Sequence, residues 1–308
     1  MKEPIITTER LTKRYRDVTA VSDMSLTVGK GEIYGFLGLN GAGKTTTIRL
    51  LLGMIRPTSG SAVINGKKVY PDNLGLWKEI GYLVEVPYSY PNLTVRENLE
   101  ITRRLRQLPD RSAVDRVIGL LKLGAYAGRK AKNLSLGNAQ RLGLAKALMH
   151  NPSILMLDEP ANGLDPEGIY EIRELLTDLA ENHGVTIFIS SHILGEISRF
   201  ATRIGIIHEG RLIREVTADQ LEGLCRKRLL VSAGDLQAAR FVLEQKGYAV
   251  GLPTEGLLEL TGEEAIHHPE AVATLLVNAG CPPSLLKVEE EDLESYFLRT
   301  IRMEGGQS

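Results

Sequence analysis

Cysteine is nearly absent. Cys225 and Cys281 are the two thiols in 308 residues, far apart and in no metal-ligand spacing. A disulfide-built scaffold and a cysteine-rich metal site are thereby excluded, and two unpaired thiols in a reducing compartment are expected. Long apolar runs are missing too. Ile48 to Ile55 comes closest, but Arg49 and Gly53 interrupt it, and a bilayer-spanning helix needs about 18 residues. Met1-Lys2-Glu3-Pro4 leads into no apolar segment, so no secretory leader is expected. A membrane role must then go through a partner. Charge of one sign is also lacking: the net charge is −1. Nucleic-acid binders draw affinity from a basic excess that neutralises phosphates, so nucleic acid is not an expected partner. Glycine is plentiful, with 31 residues, which suits loops that hold a ligand by backbone contacts.

The length is comfortable for two domains. Ile5 to Thr27 reads as short antiparallel strands, and Glu32 to Leu37 as a buried strand running into the glycine-rich stretch Gly38 to Gly43. A helix is expected after Lys44. Ser61 to Ile64 with Asn65-Gly66 suggests a hairpin strand and turn. From Thr94 to about Leu123 the pattern is helical, with Val95, Leu99, Leu105 and Leu108 on the apolar side. Arg103, Arg104 and Arg106 read as a solvated helix face. Strands Ile154 to Leu157, Val185 to Ser190 and Arg203 to His208 alternate with helices Tyr170 to Glu181 and Leu194 to Phe200. Such alternation implies a mainly parallel sheet covered on both faces, an α/β class.

Composition shifts after about Asp219. Strands Leu229–Ser232, Tyr248–Val250, Leu257–Leu260 and Ser284–Val288 and helices Leu236–Gln245 and Glu270–Ala279 give the order β-α-β-β-α-β, a ferredoxin-like arrangement. A final amphipathic helix would place Leu293, Phe297 and Ile301 on one side. His267-His268 has no companion ligands and reads as a solvated loop. The expected division is 1–220, with a helical part about 85–150, and a C-terminal domain, 221–308.

Gly38-Leu39-Asn40-Gly41-Ala42-Gly43-Lys44-Thr45 matches G-x-x-x-x-G-K-[ST] at every fixed position, between an expected strand and an expected helix. Amides of Gly41, Gly43, Lys44 and Thr45 can point into one concavity and hold phosphate oxygens. The helix start aims its positive dipole end at the same place. Lys44 adds a full charge between two phosphates, and the Thr45 hydroxyl can ligate Mg2+. Asn40 and Thr46 belong to the same binding stretch. Ile154-Leu155-Met156-Leu157-Asp158-Glu159 is an apolar strand ending in two acids. A buried strand delivers carboxylates at its C-terminal edge: Asp158 to hold Mg2+, Glu159 to orient or deprotonate the attacking water.

With these two motifs, the chain resembles the ATP-binding cassette family. Leu134-Ser135-Leu136-Gly137-Asn138-Ala139-Gln140-Arg141 is similar to that family's signature, Asn162-Gly163-Leu164-Asp165-Pro166 to its D-loop, Ser190-Ser191-His192 to its switch-histidine segment, and Tyr15 stands where the family stacks an aromatic ring on adenine. The resemblance covers roughly residues 5 to 220. It implies a P-loop NTPase core with antiparallel β and α-helical subdomains. It further implies that Ser135 and Gly137 face the γ-phosphate bound by a second copy, that His192 contacts that phosphate, and that Asp165 bridges the copies. Leu136 and Asn138 depart from the signature, and Glu85 stands in Val84-Glu85-Val86-Pro87 where glutamine is usual. Glu85 would still offer an oxygen to Mg2+ or the attacking water. The Leu-Ser-Leu-Gly spelling, Glu85 and the ending Asp292 to Leu298 resemble ATPases of peptide-antibiotic (bacitracin-type) and lantibiotic resistance exporters. The implied molecule is an ATP-hydrolysing subunit that binds ATP and Mg2+, pairs with a second copy, and drives a separate integral-membrane permease from the inner face of the cell membrane. The competing readings are a soluble cassette ATPase acting on a ribosome or nucleic acid, which the single phosphate loop and the missing heptad insertion disfavour, and a slow regulatory cassette.

Overall fold

The computed structural model describes residues 3–71, 73, 75–85, 87–251 and 256–304; Val86 of the Glu85 segment lies outside the described residues. The chain starts with three antiparallel strands, β1 (Pro4–Tyr15), β2 (Val18–Met24) and β3 (Thr27–Gly29). It then leaves them for β4 (Ile33–Leu37), and after α1 (Lys44–Leu51) it returns through β5 (Ser59–Ile64) and β6 (Lys67–Lys68). The antiparallel sheet runs β2-β1-β5-β6, with β3 also paired to β1. Next come β7 (Ile80–Leu83), α2 (Val95–Leu105), α3 (Ala113–Leu120), α4 (Leu136–Leu148), β8 (Ile154–Asp158), α5 (Pro166–Glu181), β9 (Thr186–Ser191), α6 (Leu194–Ile197), β10 (Arg203–His208) and β11 (Arg211–Thr217). These build a second sheet in the order β11-β10-β4-β9-β8-β7. All its pairs are parallel except β10–β11.

β4, β8 and β9 are buried at every position, as strands covered on both faces must be. Alternate residues serve opposite layers. Tyr34, Phe36 and Phe188 form a cluster of rings 5.2–5.5 Å apart and share a core with Ile48 and Leu51 of α1 and Ile6 and Ile64 of the antiparallel sheet. On the other face α5 packs against β9 and α6 against β4. Gly35 is required there, since a Cβ would lie 2.3 Å from Ile197 Cγ2.

The expected helix across Thr94 to Leu123 is two helices. Leu108-Pro109-Asp110 breaks it, because proline offers no amide to continue the ladder, and Gln107 adopts φ 55°. Leu105 is exposed rather than on the apolar side. The arginines are not a uniformly solvated face. Arg104 is exposed, but Arg103 pairs with Glu100 and Arg106 donates to Trp77 O at 2.9 Å. Thr94 and Glu97 form a reciprocal capping box at the start of α2.

The chain divides into two compact units at Ala218/Asp219. The second unit is Asp219–Thr300, and the described residues Ile301 to Glu304 group with the first; the expected C-terminal domain was 221–308. The second unit holds most of α7 (Ala218–Glu222), then β12 (Lys227–Ala233), α8 (Leu236–Gln245), β13 (Leu258–Leu260), α9 (Glu263–His267), α10 (Pro269–Asn278), β14 (Pro283–Glu290) and most of α11 (Leu293–Glu304). Its sheet runs β13-β12-β14, all antiparallel. The expected strand Tyr248–Val250 is reduced to one bridge between Val250 and Leu260. That is the ferredoxin-like order with a vestigial edge. Leu229, Val231, Leu258 and Leu260 meet Leu243 of α8 and Val272 and Leu276 of α10 in its core. His267 closes the short helix α9 instead of lying in a loop.

His150 accepts an unusual environment just after α4. Its Nε2 lies 3.1 Å from Ile80 O. Burial first, and then the nearby Arg106 guanidinium, hold the imidazole down to about 4. The unfolded chain takes up that proton near its ordinary range, about 6.5. The neutral ring therefore contributes fully above pH 6.5, and its contribution is lost as pH falls toward 4. His150→Gln removes this titration. Urea unfolding of both proteins between pH 7 and 4.5 is expected to show the stability advantage of the parent over the variant shrinking steadily as pH drops; a gap constant with pH contradicts the assignment.

Candidate functional site

The C-terminal ends of β4, β8 and β9 lie side by side, and each delivers part of one polar cluster. From β4 the chain enters the glycine loop. Gly38 N–H donates to Ser191 O at 3.2 Å, which fastens the loop to the end of β9. Gly43 adopts φ 105°, and a Cβ there would lie 2.3 Å from Ala20 O; no residue with a side chain fits. α1 starts after it without any side-chain cap, which leaves its first amides for a ligand. The Lys44 ammonium, 5% exposed, donates to Gly38 O at 2.6 Å and Leu39 O at 3.2 Å and lies 3.1 Å from Glu159 Oε1.

From β8 come the two acids. Asp158 is buried, and its carboxylate accepts from Thr45 Oγ1 and Ser190 Oγ, each at 2.6 Å. Glu159 follows with φ 50°, a left-handed turn that swings its carboxylate toward Lys44. Its amide is held by Ser190 O and Ser190 Oγ at 3.3 and 3.1 Å, and its carbonyl accepts from Gln140 Nε2 at 3.2 Å. From beyond β9, His192 Nδ1 donates to Glu159 Oε2 at 2.7 Å. Thus Glu159 has one oxygen on a lysine and the other on a histidine, so its position is fixed from two sides.

A cleft of about 550 Å³ opens over this cluster, lined by Asn40, Gly41, Gly43, Lys44, Thr45, Thr46, Glu159 and His192. Gly38 and Asp158 lie in its floor through the bonds above. Val18, Asn162 and Glu209 also line it. The sequence carried no motif for Val18 or Glu209; Asn162 stands at the head of the Asn-Gly-Leu-Asp-Pro segment and was legible only there.

Tyr15, Glu85, Ser135, Gly137 and Asp165 do not line the cleft. Tyr15 is 43% exposed, with the Lys13 ammonium 4.9 Å from its ring centroid. Ser135 caps α4, its Oγ accepting from Asn138 N at 3.3 Å and Asn138 Nδ2 at 3.1 Å. Asp165 caps α5, accepting from Gly168 N at 3.0 Å ahead of Pro166. Gly137 and Gly163 sit against one another's segments: a Cβ on Gly163 would lie 2.3 Å from Leu136 Cδ2, and one on Gly137 would lie 3.1 Å from Gly163 O. Glu85, expected to offer an oxygen to Mg2+ or the attacking water, is engaged elsewhere in this structure. Its carboxylate pairs with Arg49 of α1. The pair is exposed, and the guanidinium neutralises the charge outside the cleft.

The arrangement has the chemistry of a phosphate-binding loop facing a fixed carboxylate. The ABC transporter family model matches residues 21–162. The bacitracin transport ATP-binding protein BcrA of Bacillus licheniformis is 41% identical over 299 residues, covering 96% of this chain and 97% of that protein. The lantibiotic transport ATP-binding protein SrtF of Streptococcus pyogenes is 38% identical over 216 residues, 70% of this chain and 92% of that one. Among solved structures, the dimeric bacterial ABC transporter cassette MJ0796 matches with 28% identity and a TM-score of 0.65, over 70% of this chain and 99% of that one. The dimeric post-hydrolysis state of the same cassette, bound to ADP and Pi, matches with 26% identity over the same shares and the same TM-score of 0.65.

Ser190 is the fully buried link between the two acids. Removing its hydroxyl leaves a buried Asp158 oxygen without its donor, which costs about 1–3 kcal/mol. Ser190→Ala is expected to lower the unfolding free energy in urea by that amount; a change within experimental error shows that the link is idle.

Proposed function

Since the chain belongs to the ABC transporter family of ATP-hydrolysing cassettes, we propose that it hydrolyses ATP at the Lys44–Glu159 cleft and drives a separate membrane permease that exports a peptide antibiotic or similar compound. The observation that carries this reading is the contact of Glu159 with both Lys44 and His192. The ammonium now satisfied by Gly38 O, Leu39 O and Glu159 turns to the β- and γ-phosphates, which the first-turn amides of α1 also hold. Glu159, released from Lys44 but still held by His192, accepts a proton from the water that attacks the γ-phosphorus. The bond from that phosphorus to the bridging oxygen breaks, and ADP departs with the electron pair.

Magnesium fits the donors present. Thr45 Oγ1 and Asp158 Oδ2 are hard oxygen ligands 2.6 Å apart, and among the described residues no group of three or more His, Cys, Asp or Glu forms a cage for a metal. A hydroxyl and a carboxylate at the cleft floor leave the rest of the shell to phosphate oxygens and water, the usual manner of Mg2+. The ion, when bound, neutralises phosphate charge.

Two copies would close head-to-tail. Ser135 and Gly137, absent from the cleft of their own chain, would complete the cleft of the other, with Asp165 between the copies and Tyr15 against the adenine. This is supported by the dimeric state of the matched cassettes. Among the described residues no helix is long and apolar enough to cross a membrane. That supports a separate permease, which would seat on the segment from Glu85 through α2 and hold the chain at the inner membrane face. Export of a peptide antibiotic is supported by the bacitracin and lantibiotic transport proteins among its relatives, the former matching over nearly the full length.

Glu159→Gln is expected to bind ATP as the parent does, to hydrolyse it about 10²–10⁴-fold more slowly, and to accumulate as an ATP-bound dimer in gel filtration. Lys44→Ala is expected to lose ATP binding. Parent-like turnover by Glu159→Gln would remove this residue from the role of base.

A further inference from the structure

β14 is the open edge of the C-terminal sheet. Among the described residues it pairs only with β12, and its register is unbroken from Leu285 to Glu290. The direction of its backbone groups follows from two hydrogen bonds. Glu291 N donates to Arg226 O, which makes 226/291 a hydrogen-bonded pair. Every second pair shares that character, so Lys287 and Glu289 direct their amides and carbonyls inward to β12. Independently, Gly251 N donates to Glu259 O on the far side of β13. That turns Glu259 away from β12 and leaves Leu230, its partner, directed toward Lys287. Leu286, Val288 and Glu290 therefore direct their backbone groups outward, where no strand among the described residues meets them.

An edge of this kind invites pairing unless something blocks it. Proline stands only at its first residue, Pro283, and the one bulge, where β14 takes two steps from Leu285 to Pro283 against the single step from Ser232 to Ala233 of β12, lies at that same end and leaves Leu285 to Glu290 regular. Lys287, 59% exposed, is the usual guard against a neighbouring strand. Here Glu289 follows on the same face, two residues away, its carboxylate paired with Arg228 of β12 at 2.8 Å and with Lys287 at 3.1 Å, and the two opposite charges make the edge complementary to itself. In an antiparallel copy-to-copy pairing, only Leu286, Val288 or Glu290 can sit on the two-fold axis as a hydrogen-bonded pair. Centred on Glu290, the pairing sets Glu290 against itself and Glu289 against Glu291. Centred on Leu286, it sets Lys287 against Leu285. Centred on Val288, it sets each Lys287 directly opposite the partner's Glu289, in the non-hydrogen-bonded positions where side chains approach closest. The exposed Val288, at 40%, then meets its own copy across the axis.

We infer that β14 is a dimerisation edge that pairs antiparallel with β14 of a second copy of this chain, in a register centred on Val288. The association needs no nucleotide and is separate from the ATP-dependent closure proposed above. It would keep two cassettes together while their nucleotide clefts are open, and raise the effective concentration of one for the other.

The full-length chain, in EDTA and without nucleotide, is examined by sedimentation equilibrium. The parent is expected to self-associate. Lys287→Glu sets like charges opposite each other at both ends of the register, as does Glu289→Lys, so each variant alone should weaken association about tenfold. Mixed in equal amounts, the two variants should recover it, because each then faces the opposite charge. Val288→Pro removes an outward amide without touching the β12 ladder and should abolish association. A monomeric parent, a mixture no tighter than its components, or parent-like association of Val288→Pro each overturns the inference.

Discussion

A lysine ammonium that is 95% buried must be satisfied by oxygen atoms, and the rest of the nucleotide site is arranged around that requirement. Without phosphate, Lys44 holds two carbonyls of its own loop and one oxygen of Glu159. The two carbonyls follow β4 and the carboxylate follows β8, so the parallel order β4-β9-β8 is what brings them within reach. The same contact places Glu159. Its left-handed backbone would be unfavourable by itself, and the hydrogen bonds to Ser190, Gln140, Lys44 and His192 hold it there. In the proposed mechanism a triphosphate takes the lysine, and the carboxylate would lose one of its two side-chain partners at the moment it receives a proton. Binding and readiness for chemistry are thus linked through a single ammonium group.

Much of this was legible in the sequence because the motif obeys a local rule. A glycine loop between a strand and a helix needs no distant partner to be recognised, and the apolar run Ile154–Leu157 announces a strand ending in acids. The α/β alternation was readable for the same reason: strands buried on both faces are continuous apolar runs. What stayed hidden depends on contacts between distant segments. Glu85 was expected to serve the site because it stands where the resembled family usually has glutamine. Its partner, Arg49, stands one turn after Thr45 on α1 and belongs to no motif, and only the fold sets the two together. Arg103 and Arg106 looked solvated because charge patterning along one helix cannot show the carbonyls of Leu108 and Trp77 that receive them. The strand Tyr248–Val250 had the right composition but survives as one bridge.

The departures from the signature motif also acquire a physical reason. Leu136, in place of a glycine, lays its side chain over Gly163, where no Cβ can be accommodated. Asn138 donates to the Ser135 hydroxyl through its backbone and its side chain. The start of α4 is therefore braced against the segment that leads to Asp165, and Gln140 of the same helix reaches Glu159. The serine and the base belong to one connected polar and steric unit, although the serine does not line its own chain's cleft.

That connection bears on why a second copy matters at all. A cleft whose walls come from one chain leaves the open side of a triphosphate in water, where its charge is screened and an attacking water is not selected. A capped helix start whose serine hydroxyl, its oxygen accepting from Asn138, can still donate its hydrogen, beside a glycine amide, is a suitable cover for anionic oxygens, but these residues do not line the cleft of their own chain. Only another copy can bring such a cover. The proposed closure over ATP would be transient by construction, because the ligand that holds the two copies together is the one consumed. Association that outlasts each turnover has to come from a surface that hydrolysis does not alter, and a sheet edge joined by main-chain hydrogen bonds and paired opposite charges has that property.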